Sequence, residues 1–140
     1  MEYRRVGNQI AVRLDRGEEV MACLKKLAET ENIQSAFVQG LGAADEATFG
    51  LYDVRAQKFN SHTVREPLEI ASLTGNLTGK DGLPYLHLHI VLGKEDGTAI
   101  GGHLISAHIS GTAEISVTVL DVAIGRKTDP LGTGLQVFDF

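Results

Sequence analysis

The sequence predicts an α+β domain with one main helix near the N-terminus and a central, largely antiparallel sheet. Three observations predict it. Apolar and polar residues alternate with period two in several stretches, as at Ile10, Val12 and Leu14 and again at Ile115, Val117 and Val119. Helical periodicity is confined to one segment, where Val20, Leu24, Leu27 and Ala28 share a face. Turn signals such as Asp81-Gly82 and Asp96-Gly97 separate the alternating stretches, as expected between neighbouring antiparallel strands.

Taken in order, residues 3–14 read as a first strand. Asp15 is the expected helix cap, with Glu18 three residues later as in a capping box, and the helix is expected to stop near Asn32. Ile33 to Gln39 reads as a strand closed by Gly40-Leu41-Gly42, and Ala47 to Val54 as another, with 56–62 as its partner. Pro67 marks a strand edge or start, and 68–75 form the next strand. Tyr85 to Leu92 and Thr98 to Ala107 flank Asp96-Gly97 and are expected to form a hairpin. A last long strand carries Ile115, Val117 and Val119. Leu135 to Phe140 reads as a short docked strand in a glycine-rich tail. No repeat or linker interrupts the chain, which reads as a single domain over 1–140.

With 140 residues, 43% apolar and 22% charged, the chain has the composition of a folded globular domain rather than a disordered one. Lys and Arg total 13 against 18 for Asp and Glu, so the net charge is −5, which argues against gripping nucleic acid by bulk charge. A single cysteine, Cys23, excludes an internal disulfide and reads as a packed helix residue. No apolar run reaches the ~18 residues of a membrane span, and the N-terminus lacks a signal-peptide core. A cytoplasmic protein with no membrane partner is the expectation.

The chemistry concentrates in Leu86-His87-Leu88-His89-Ile90. Side chains alternate along a strand, so Leu86, Leu88 and Ile90 share the core face while His87 and His89 share the other, about 6.6 Å apart. A hairpin centred near Asp96 sets His89 roughly opposite His103, in Gly101-Gly102-His103-Leu104, where the two glycines leave room beside the ring. Three neutral imidazoles with an open position suit zinc or another borderline divalent metal. The alternative is a set of hydrogen-bonded histidines in a polar cleft or subunit interface. Glu69 and Glu114 are weaker candidates for a fourth ligand or a supporting carboxylate. On an unbulged strand, parity sets His108 on the face opposite His103, and His62 is unplaced. Gly40-Leu41-Gly42 lacks the helix and third glycine of a dinucleotide site and reads as a tight turn. No catalytic residue is identifiable. A water-activating metalloenzyme for a small molecule and a non-catalytic assembly module both stand as alternatives.

The order Val38-Gln39-Gly40-Leu41-Gly42-Ala43, Leu68-Glu69-Ile70-Ala71-Ser72-Leu73-Thr74-Gly75-Asn76, His87-Leu88-His89, Gly101-Gly102-His103-Leu104 and Thr112-Ala113-Glu114-Ile115 resembles the plant-and-prokaryote-conserved (PPC) domain over nearly the whole chain. The resemblance implies an α+β fold with a largely antiparallel sheet, a homotrimer and a DNA-binding or regulatory role. It also implies a metal site at His87, His89 and His103. Plant members join the domain to AT-hooks, whose Arg-Gly-Arg-Pro motif does not occur here.

Overall fold

The computed structural model describes residues 1–140. Eight strands and one helix follow in the order β1 (Glu2–Val6), β2 (Gln9–Asp15), α1 (Val20–Thr30), β3 (Ala36–Asp53), β4 (Lys58–Lys80), β5 (Leu83–Gly93), β6 (Ala99–Val119), β7 (Gly125–Thr128) and β8 (Gln136–Asp139). Six strands make one antiparallel sheet in the order β1-β2-β6-β3-β4-β5, and β5 also pairs with β6. That extra pairing closes β3, β4, β5 and β6 on themselves. The fold is thus richer in strand than a balanced α+β domain, with a single eleven-residue helix.

Alternation decides what lies inside. On β5, Leu88, Ile90 and Leu92 are buried while His89 and Val91 are exposed. Ile10, Val12 and Leu14 of β2 and Val20, Leu24, Leu27 and Ala28 of α1 join the same apolar core. The helix face matches the one expected from spacing. Its start does not: Glu19 caps it, accepting from the Met21 and Ala22 backbone N–H groups. Asp15 and Glu18 instead form a turn, with Glu18 N–H donating to the Asp15 carbonyl and Asp15 N–H to Glu18 Oε2. The chain needs that turn to leave β2 before helical geometry can begin.

Several expected boundaries merge. Residues 3–14 form two strands, not one, folding back between Val6 and Gln9. Most of the stretches 33–39 and 47–54 lies in one long strand, β3. Gly40-Leu41-Gly42 is not a turn, because these glycines let β3 lie tight against β6: a Cβ on Gly40 would stand 2.8 Å from Ile115 Cγ1, and one on Gly42 2.4 Å from the Thr112 carbonyl. Likewise 58–62 and 68–75 are parts of β4. Its register against β3 shifts between Ala44↔Leu68 and Glu46↔Arg65, and Pro67 falls in that irregularity, where a missing N–H is tolerated. The tail strand at 135–140 is present as β8, paired with β7, which the pattern did not announce.

Candidate metal centre

The β5–β6 hairpin builds the site. Asp96 shapes its turn by accepting from the Thr98 N–H and Oγ1–H, and Gly97 N–H donates to the Lys94 carbonyl. The resulting register sets His89 directly opposite His103. His87 lies two residues along the same face. The three rings gather with centroids 5.3 Å (His87–His89), 5.1 Å (His87–His103) and 5.6 Å (His89–His103) apart. One nitrogen from each residue falls within 4.8 Å of the other two. Three donors on a tetrahedral zinc stand about 3.3 Å apart, so small side-chain rotations close the set.

Neighbouring strands fix these rings. His103 pairs with Gly50 of β3, and a Cβ on Gly50 would lie 2.2 Å from the Asn60 carbonyl and 2.9 Å from the Phe59 ring. Glycine there lets Phe59 close over β3 and touch His103 edge-on, with centroids 5.7 Å apart. A Cβ on Gly102 would meet the Gly50 carbonyl at 2.5 Å, so β6 and β3 approach closely beside the site.

Electrostatics favour the neutral, ligating form of His87 and His103. Burial, then the positive charges of His103, Arg126 and His89, push the His87 pKa down from 6.5 to about 4. Burial and His89 also lower that of His103. A metal-binding imidazole must be unprotonated, so both shifts keep donors available near neutral pH. The donor set therefore fits a borderline divalent ion by geometry and element type.

The other sequence candidates lie elsewhere. Glu69 pairs with Ala43 and Gly93, Glu114 with Arg13 and Leu41, and neither joins the histidine cluster. His62 lies opposite Phe49 on β4, also outside the cluster. His108 is exposed, contrary to unbroken parity, because β6 carries a bulge at Ile105: Phe49 pairs with Leu104 and Thr48 with Ser106. The extra residue turns Ala107 and Ile109 inward and His108 outward. Cys23 packs against the core, as read from the helix.

Sequence reasoning missed Arg126. On the histidine face of the β4–β5 ladder, the successive rungs are Thr74–His89, Asn76–His87 and Thr78–Tyr85. The half-buried Arg126 guanidinium lies over the last two. Its Nε–H donates to Thr78 Oγ1 at 2.9 Å, Nη2–H to Asn76 Oδ1 and Nη1–H to the Gln136 carbonyl at 3.1 Å. It stacks on Tyr85 and Phe138, 4.9 and 4.6 Å from their centroids. Only its basic neighbour Lys127 offered a local signal, and a short basic pair reads as solvated charge.

Comparison with known proteins places these features. The family model of the Plants and Prokaryotes Conserved (PCC) domain matches residues 1–121. A solved structure from Bacteroides thetaiotaomicron, described as that of a "putative DNA binding protein", is 33% identical, with TM-score 0.95 over 99% of this chain and 96% of that one. A protein from Archaeoglobus fulgidus described as metal-containing is 33% identical, with TM-score 0.88 over 99% of this chain and 97% of that one. A plant- and prokaryote-conserved protein from Pyrococcus horikoshii is 28% identical, with TM-score 0.86 over 99% and 94%. No curated protein sequence matches the chain. No helix is long and apolar enough to cross a membrane.

Proposed function

The chain belongs to the Plants and Prokaryotes Conserved domain family, and we propose that it is a metal-binding member in which His87, His89 and His103 hold one divalent ion, zinc first. The observation that carries this reading is the meeting of three imidazole nitrogens from two paired strands within 4.8 Å. The description of the Archaeoglobus relative as metal-containing points the same way. When bound, such an ion would supply a Lewis-acid centre. Elemental analysis of the purified protein is the test: one equivalent is expected, and none in the His87→Ala, His89→Ala double variant. Equal metal in both would end the reading.

The same reading takes residues 1–140 as one domain that assembles as a cytoplasmic homotrimer. Phe37 and Leu41 on the outer face of β3 are 54% and 56% exposed, and Leu41 borders an open groove of about 840 Å³ shared with Gln39, Thr74 and Ser116. Two large exposed apolar side chains beside a groove suit burial against another copy. Light scattering at three times the chain mass supports the trimer, and a monomer removes it.

Association with DNA is a second reading, favoured by the description of the Bacteroides relative. With a net charge of −5, binding would require a local basic surface. Affinity for a labelled duplex that falls steeply between about 50 and 200 mM salt supports it. No binding at the lower salt sinks it.

A further inference from the structure

We propose that Arg126 is the anion-recognition residue of the histidine site, and that the site takes a small carboxylate; this rests on the metal reading above. Position comes first. Asn76, which accepts from Arg126, is the cross-strand partner of His87, and paired side chains on one sheet face stand about 5 Å apart at Cβ. Arg126 is thus one side chain removed from a candidate ligand.

Charge balance comes second. Arg126 forms no ion pair with any carboxylate of the chain, and its three hydrogen-bond partners are an amide oxygen, a hydroxyl and a backbone carbonyl. A second cation, Lys80, lies over the same Tyr85 ring, 5.9 Å from its centroid. Three neutral imidazoles leave the full charge of a divalent ion uncompensated. A half-buried cation without a carboxylate partner next to such a centre adds to its positive charge.

Donor geometry comes third. A guanidinium has five N–H groups, and the three bonds leave one on each Nη. Stacking between Tyr85 and Phe138 holds the plane in place before any ligand arrives, so little side-chain freedom is lost on binding. A planar pair of donors matches a carboxylate better than it matches a single-point anion.

The experiment uses the full chain loaded with cobalt(II), whose visible spectrum reports changes at the metal, titrated with acetate, acetamide or inorganic phosphate. Acetate is expected to perturb the spectrum saturably and acetamide to have no effect. Arg126→Met is expected to raise the acetate Kd at least about tenfold at unchanged cobalt stoichiometry. Arg126→Lys, which keeps the charge without the fork, is expected to fall between; it also serves if the methionine variant does not fold. Acetate binding unchanged in the variants would overturn the proposal. Tighter, Arg126-dependent binding of phosphate would overturn the carboxylate assignment. Failure of the wild type to bind cobalt would instead overturn the metal reading. Arg126-dependent line broadening of labelled acetate by the metal-free protein then supports the anion site, and its absence overturns it.

Discussion

His89 and His103 face each other across the β5–β6 ladder, their ring centroids 5.6 Å apart, although thirteen residues separate them along the chain. The pairing holds two donors in register through backbone hydrogen bonds rather than through loop conformation. Sites on paired strands are rigid, so loss of a ring should remove binding without removing the fold.

That expectation is tested by the His87→Ala, His89→Ala double variant. Its far-ultraviolet circular dichroism should match the wild type while its zinc content falls from one equivalent to none. Chelation should lower the melting temperature of the wild type and leave that of the variant unmoved, because only a ligand that binds the folded state stabilises it.

Acid should destabilise the metal-free protein through His87. The unfolded imidazole takes its proton near 6.5, whereas the folded one resists until about 4. Between those values the unfolded chain holds more protons, so stability declines as pH falls through this window and is independent of this group above it. Urea midpoints at several pH values should show a shallower decline in His87→Gln than in the wild type. Parallel curves would contradict the assignment.

Glu19 joins the helix to the barrel. Its Oε1 accepts from the Met21 N–H at 2.9 Å and the Ala107 N–H at 3.1 Å, while Oε2 accepts from Ala22 at 2.7 Å. Glu19→Ala removes a cap and leaves a β6 N–H without its partner. A loss of about 1–3 kcal/mol is expected in denaturant unfolding. A change under about 0.5 kcal/mol would show that water replaces the carboxylate.

Leu88 is fully buried between the two histidines in sequence. Leu88→Ala should cost about 2–5 kcal/mol by opening a core cavity. Val91→Ala, on the exposed side of the same strand, should cost far less. Comparable losses would mean that the face pointing away from the core is covered in solution by another surface.

Much of the site was legible because periodicity reports burial residue by residue. Leu86-His87-Leu88-His89 states which side chains share a face, and Asp96-Gly97 states where the hairpin folds, so the register of His103 followed. The face of His108 was not legible because the bulge at Ile105 shifts parity without any marker in the sequence. Gly40-Leu41-Gly42 was misread because a glycine that opens a turn and a glycine that admits a neighbouring strand look alike in one dimension.

By itself the sequence determined the helix face, the alternation of the strands and the convergence of the histidines, since each depends on contacts within a short stretch or across one hairpin. The tertiary structure alone decided that the sheet closes through β5 and β6, and that Arg126 lies over Asn76, fifty residues earlier in the chain. The reason is physical: local patterning records which surface must leave water, whereas the choice of partner for that surface depends on the packing of the whole chain.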